Sequence, residues 1–333
     1  MATRKDVAKL AGVSVATVSN VLGKRLTVSD EKVNRVLEAA RKLNYIPNHT
    51  ARCLSSGRSN HIGVIVNEFT NPYHMEIVQF IGKYVMRNGF MMTVLDFQEE
   101  SKNLSTMLGE WQFDALINFS SNIYSERLLS NLRSRGIVLV NFANVSDMEV
   151  HHDVSDAMLQ CMKRLQELGH TRVGYVSTLD AMRWLDDERG KVFTQERKNC
   201  GFLLNDDYIV YNDNYSKSSI KIGYDGCKKL FTINKDITAI FATNDMAAMG
   251  AIRALKEMGY DCPKDVSVIG CDDILFSRNC VPSLTTIGFD KEEYGTAIAK
   301  RVLDKLQNGT EYPERYCMQA VPVFRESIDI VRK

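Results

Sequence analysis

The sequence predicts an α/β protein with a small all-helical head, and three observations carry that prediction. Helical apolar spacing without strand patterns fills the first 45 residues. From residue 61 onward, short apolar runs alternate with helical patterns, as βαβ units and parallel sheets require. The alternation comes in two similar series, which implies two doubly wound lobes with a cleft between them, at the carboxyl ends of the strands.

Bulk properties agree. The chain has 333 residues, 44% hydrophobic and 25% charged, and at roughly 150 residues per domain that suits about two globular domains. No apolar run reaches the roughly 18 residues of a bilayer span, and MATRKDVAKLAG lacks the apolar stretch of a secretory signal. A cytoplasmic protein with no membrane partner is expected. The 8 cysteines are spread singly with no C-x-x-C, so reduced thiols are expected. The net charge of +1 hides an asymmetry: residues 1–60 hold 11 Lys and Arg against 4 Asp and Glu, and the remainder 31 against 37. A head at +7 on a body at −6 suits contact with a polyanion.

In the head, Val7, Ala8, Leu10 and Ala11 take helical spacing before Gly12 breaks the pattern. Ser14 is placed to cap a second helix over Val15–Leu22, with Val18, Val21 and Leu22 inward and Gly23 at its end. A third helix follows the cap Ser29, with Val33, Val36, Leu37, Ala40 and Leu43 on its apolar face until Asn44. Two short helices joined by a tight turn form a helix-turn-helix signature. The second helix of such a pair lies in the major groove. Ser14, Val15, Ala16, Thr17, Ser19 and Asn20 are therefore candidate DNA contacts; a helical interaction module with solvated Thr and Ser is the competing reading.

In the body, the first series runs HIGVIVN, a helix from Pro72 to Asn88, FMMTVLDF, a helix near 99–111, FDALINFS, a helix near 124–135 and GIVLVNF. The second runs TRVGYVS, a helix after Arg189, DYIVYN, a helix over 219–231, TAIFATN, a helix over 245–258 and DVSVIGCDD. Residues just beyond strand ends are the candidates for lining the cleft: Phe69, Asn71 and Tyr73, then Trp184 and Arg189, then Asn244, then Asp272 and Phe276. Aromatic faces with a few Asp, Asn and Arg suit a polyol, because rings stack on its flat faces while carboxylate and guanidinium read paired hydroxyls. Phe69 and Trp184 equally suit packing between the lobes, and Arg189 equally suits pairing with Asp186 or Asp187.

Enzymatic signatures are missing: there is no G-x-G-x-x-G, Walker loop, H-E-x-x-H or G-x-S-x-G. His151 and His152 are adjacent, and on a strand they would point to opposite faces, which does not suit one shared metal ion. No catalytic residue, metal or cofactor is expected.

KDVAKLAGVSVATVSNVLG, LNYIPN and ARCLSSGRSNHIGVIV together resemble the head and hinge of the LacI/GalR family of bacterial transcription regulators. The resemblance is dense over residues 3–66 and continues in NPYHMEI (71–77), ELGHTRVGYVS (167–177), TAIFATNDMAAMGAIRALKEMG (238–259), PKDVSVIGCDD (263–273), PSLTTI (282–287) and FRES (324–327). It implies a helix-turn-helix domain at 1–47 and a hinge helix and linker at 48–60. It also implies a periplasmic-binding-protein-like core whose discontinuous lobes are 61–155 plus 288–314 and 156–287 plus 315–333, with crossings near 155, 287 and 314. Tyr45, Asn48 and Arg52 become DNA contacts, and Leu54 a wedge that unstacks a base step and kinks the duplex. Arg189, Asn244 and Asp272 become effector positions.

The implied function is a dimeric repressor on a palindromic operator, tuned by a sugar-like effector. Two departures stand out. Where relatives carry a Gln facing the effector, this chain reads Gly288-Phe289-Asp290, a hydrophobic wall; and a longer loop after Tyr211 shifts a pocket aromatic, to Tyr215. The rival reading is a stand-alone solute-binding protein with a basic N-terminal module, which would need an export signal that the sequence lacks.

Overall fold

The computed structural model describes residues 2–23, 28–45, 58–66, 68–96, 112–120, 124–142, 145–213, 218–313 and 315–332. The expected hinge helix with Asn48, Arg52 and Leu54, the helix near 99–111 and Tyr215 lie outside these residues. The chain divides into two compact units, one built on residues up to Asn60 with a short piece at 112–114, the other on the remainder.

The head holds α1 (Arg4–Ala11), α2 (Val15–Leu22) and α3 (Asp30–Lys42). Thr3 and Asp6 form a reciprocal capping box that starts α1, a pairing the sequence reading passed over. Gly12 ends α1 at φ 62°, ψ 42°, a left-handed conformation that glycine adopts without a Cβ penalty. Arg35 Nη2 reaches across from α3 to donate to the carbonyls of Ala11 and Gly12, at 2.6 and 3.3 Å. Ser14 caps α2 as expected, its Oγ accepting from Thr17 N at 3.1 Å.

Two head details differ from expectation. Ser29 holds the N-cap position of α3 but makes no side-chain cap bond, and Gly23 ends α2 at φ −86°, not in the left-handed region. The three helices meet over Val7, Ala8, Ala11, Val18, Val21, Val36, Ala39 and Ala40. Because much of that contact runs through alanines, the helices approach closely, and Leu10 and Leu37 are left at its rim, 52% and 46% exposed.

The body repeats one construction twice. In the first lobe, β1 (His61–Val66), β2 (Met91–Asp96), β3 (Ala115–Asn118) and β4 (Val138–Val140) form an all-parallel sheet of order β2-β1-β3-β4. Helices α4 (Pro72–Arg87) and α5 (Glu126–Ser134) belong to its crossovers. In the second lobe, β6 (Val173–Val176), β7 (Ile209–Val210), β8 (Ala239–Ala242) and β9 (Ser267–Ile269) form a parallel sheet of order β7-β6-β8-β9. Its helices are α6 (Ser155–Glu167), α7 (Glu188–Glu196), α8 (Ser219–Ile233) and α9 (Asp245–Glu257). Both orders reverse direction beside the first strand, β1 or β6, which is where doubly wound sheets bind ligands.

Three stretches join the lobes. The chain leaves the first through β5 (Glu149–Asp153) and returns after β10 (Thr286–Gly288) into α10 (Lys291–Asn308), which packs on α4. It then runs along β11 (Arg315–Gln319), parallel to β5, and crosses at Ala320 into β12 (Val321–Val323), antiparallel to β10. Tyr316 and Met318 still pack on the first lobe's core, whereas Ala320 belongs to the second. The last crossing therefore falls beyond Gln319 instead of near 314, because β11 needs β5 as its hydrogen-bonding partner before the chain can leave.

Candidate DNA face and interlobe cleft

On the head, Ser14, Val15 and Ala16 are exposed and Thr17, Ser19 and Asn20 half-buried, along the first turns of α2. The Ser14 and Thr17 hydroxyls lie 2.9 Å apart. Val18 and Val21 turn inward, so one face of α2 holds the core and the other presents Val15, Ala16, Ser19 and Asn20 outward. Tyr45 packs, half-buried, against the head core.

In the body, the expected effector residues cluster at helix starts, where strand ends and the positive ends of helix dipoles share one edge of each lobe. Asn71 caps α4, its Oδ1 accepting from Tyr73 N at 3.1 Å. Asn244 caps α9, accepting from Ala247 N at 2.9 Å and donating to Ser219 Oγ at 3.3 Å. Asp187 caps α7, accepting from Arg189 N at 2.9 Å.

Arg189 is forked onto the same Asp187 carboxylate through Nε at 2.9 Å and Nη2 at 2.7 Å. Its Nη1 donates to Thr243 O at 2.7 Å and comes within 4.0 Å of Asp272. Burial works against ionisation of Asp187, yet the bonded guanidinium outweighs it and holds the carboxyl below its usual range. The pairing weighed in the sequence is thus realised, and it aims the guanidinium at Asp272 instead of removing it from the cleft.

Asp272 is 6% exposed and sits at φ 127°, with Asp273 following at φ 45°. Two successive non-glycine residues at positive φ cost of order 1–3 kcal/mol each, so the surroundings must hold them. Asp272 N donates to Ile287 O at 2.7 Å, Ile274 N to Asp245 Oδ2 at 3.0 Å and Arg325 Nη2 to Asp273 Oδ1 at 2.5 Å. Among the described residues the Asp272 carboxylate meets only Arg189. Burial, then the nearby Asp245, pushes its carboxyl well up, while Arg189 and Lys291 pull the other way.

Facing this polar group is a pile of rings. Phe289 stacks on His152 with centroids 4.5 Å apart and meets Tyr73 edge-on at 6.2 Å. Tyr73 Oη lies 3.2 Å from His152 Nδ1. Burial first, and Arg189 second, lower the His152 pKa to about 4, so the ring is neutral at pH 7; burial likewise keeps the Tyr73 phenol protonated. His74, 8% exposed, adds a second neutral imidazole beside Tyr73 and stacks on Phe119.

Phe289, expected as a hydrophobic wall, packs against the cores of both lobes. His151, by contrast, pairs with Arg315 at 2.5 Å, so the two histidines do face different neighbours. Of the remaining expectations, Trp184 departs from a cleft role: at 6% exposure it packs against Tyr175 and Tyr211 in the second lobe's core. Gly190 permits this, since a Cβ there would lie 2.3 Å from the Trp184 carbonyl. Phe69 and Phe276 stay 48% and 54% exposed at the rim. His74 escaped the sequence reading altogether, while His152 was weighed there only as a metal ligand and Asp187 only as a partner for Arg189.

A helix-turn-helix head joined to two doubly wound lobes with a polar and aromatic cleft defines a ligand-sensing DNA-binding protein. Comparison with known proteins makes this specific. Residues 3–48 match the bacterial regulatory proteins of the lacI family, and residues 162–328 match the periplasmic binding protein-like domain. The chain is 31% identical over 322 residues to the HTH-type transcriptional repressor PurR of Haemophilus influenzae (strain PittEE), covering 95% of this chain and 94% of that one.

Its fold matches the lac repressor dimer bound to operator and the anti-inducer ONPF, at TM-score 0.80 and 22% identity over 98% of this chain and 99% of that one. It also matches the regulator CelR in complex with cellobiose, at TM-score 0.68 and 24% identity, over 98% and 100%. The chain belongs to the LacI family of bacterial transcription regulators. It is a DNA-binding regulator whose body senses a small molecule.

Proposed function

We propose that the protein is a repressor that binds a palindromic DNA operator as a homodimer, and that an uncharged sugar or sugar derivative between the lobes sets its affinity for DNA. The observation that carries the sensing half is Asp272. A buried carboxyl group on a strained backbone, 4.0 Å from a guanidinium already oriented by Asp187, is suited to hydrogen-bond a pair of hydroxyls. The rings of Tyr73, His152 and Phe289 supply the apolar face that a pyranose stacks on. Sugar-bound structures of the same fold, such as CelR with cellobiose, support that ligand class.

The dimer is supported by the lac repressor structure on its operator and by the small area that one head offers DNA. Binding, not catalysis, is the protein's work in this reading, and its place is the cytoplasm; no helix among the described residues is long and apolar enough to cross a membrane.

A thermal-shift screen of sugars, polyols and nucleobases against the full chain tests the sensing half. A neutral sugar is expected to raise the midpoint, and Arg189→Ala and Asp272→Ala to abolish the rise. A response to nucleobases alone would overturn the ligand class. For the DNA half, site selection from a random library should return a palindrome, and Leu54→Ala should lose bending and most affinity. A non-repeating single site would overturn the dimer.

A further inference from the structure

The residues that hold the Asp272 loop do not all come from its own lobe. Glu76, on the first lobe's α4, accepts a hydrogen bond from Leu275 N of the second lobe at 2.8 Å through Oε1. Its other oxygen, Oε2, lies 3.3 Å from Lys291 Nζ, at the start of α10. Lys291 is 8% exposed and donates in turn to Asp273 O of the second lobe at 2.7 Å. One acid and one lysine of the first lobe thus grip two points, Asp273 and Leu275, of the loop that carries Asp272. Glu76 is four residues into α4, whose first residues include Tyr73, so the same helix bears a ring of the cleft and the grip on its opposite wall.

We propose that Glu76 is a positioning residue for the effector site: with Lys291 it latches the first lobe to the 272–276 loop and so sets how much of the protein has the cleft closed. Glu76 does not touch the ligand. It acts by populating the competent form, and apparent effector affinity scales with that population. The reading rests on the cleft being the effector site, but the latch itself is measurable without any ligand.

The local geometry allows a clean test. Leu275 is the first residue of a short 3-10 helix, and Ile274 before it lies at φ −68°, ψ 160°, the region that a residue preceding proline prefers. Leu275→Pro therefore removes the donor and obstructs Glu76 while leaving the acid in place. Leu275→Ala keeps the N–H and removes only an exposed side chain. Glu76→Ala removes the acceptor.

Hydrogen–deuterium exchange on the ligand-free full-length protein reads the result. Glu76→Ala and Leu275→Pro should speed exchange roughly three- to tenfold in segments 72–78 and 289–294, and small-angle scattering should show a larger radius of gyration. Leu275→Ala should match the parent, and all three should keep a cooperative unfolding transition. Unchanged exchange and scattering in both Glu76→Ala and Leu275→Pro would overturn the latch, as would a Leu275→Ala variant that opens equally. Failure here leaves the sugar screen's result standing, whereas failure of that screen leaves these exchange rates standing.

Discussion

Asp245→Asn is expected to change the pH dependence of stability in a direction the structure dictates. Asp245 is fully buried at the first position of α9, and its carboxylate accepts from Ser277 Oγ and Thr286 Oγ1, each at 2.5 Å, and from Ile274 N at 3.0 Å. Burial outweighs these three bonds and raises its pKa from 3.8 to about 6. The unfolded chain releases this proton near pH 3.8, while the folded chain keeps it to about pH 6. Between those values the folded state binds more protons, so Asp245 makes stability fall as pH rises, and the loss is complete above the folded value. Two pKa units at about 1.4 kcal/mol each put the loss at roughly 3 kcal/mol.

Asparagine does not titrate. Its amide supplies one acceptor and one donor, and the Thr286 hydroxyl can rotate to accept, so the fixed cost is about 1 kcal/mol for one weakened bond. Urea unfolding of the body, followed through the buried Trp184, gives the stability of each protein from about pH 4 to about pH 7. The stability of Asp245→Asn minus that of the parent should climb by roughly 2.5 kcal/mol across that range, the part of the loss that falls above pH 4, whatever constant offset the amide brings. A flat difference, or one that falls, would refute the view that burial dominates at Asp245.

Three further outcomes follow from named contacts. Asp187→Ala strands Arg189, 24% exposed at its side chain, and should cost about 3 kcal/mol in urea unfolding, whereas Asp187→Leu with Arg189→Met should cost less, because the guanidinium is removed with its partner and Asp272, whose carboxyl burial already pushes well up, keeps its proton once Arg189 is gone. A double variant as unstable as the single would count against the pair. Ser14→Ala deletes the cap on Thr17 N and should destabilise the head by about 1 kcal/mol in a thermal melt followed by head resonances in NMR. Asn20→Arg should shift the preferred base at one half-site position toward guanine by roughly tenfold in site selection, since arginine bonds guanine bidentately where asparagine suits adenine; identical sequence preferences would confine Asn20 to the phosphates.

Much of the architecture was legible because it is written in local periodicity. Runs such as HIGVIV and VGYV are buried along nearly their whole length, as strands covered on both faces must be, and their alternation with helices admits few topologies. Single cap residues were legible for the same reason: Ser14 bonds to Thr17, three positions away. What local pattern cannot carry is choice among long-range partners. Asp186 and Asp187 were equal candidates for Arg189 until α7 set the direction of each, and only then did Asp187 become both helix cap and guanidinium fork.

Trp184 looked like a cleft aromatic because it follows a strand; it is core because Gly190 lets its backbone close onto α7. The latch is the extreme case. Glu76 and Leu275 are 199 residues apart in the chain, and the bond uses a backbone N–H, which no side-chain pattern marks. A sensor that must open and close needs contacts of this kind, between lobes and modest in strength. They are the contacts least visible in sequence, since a grip of one carboxylate on one amide demands no apolar stripe and no motif, only that α4 and the Asp272 loop arrive at the same place.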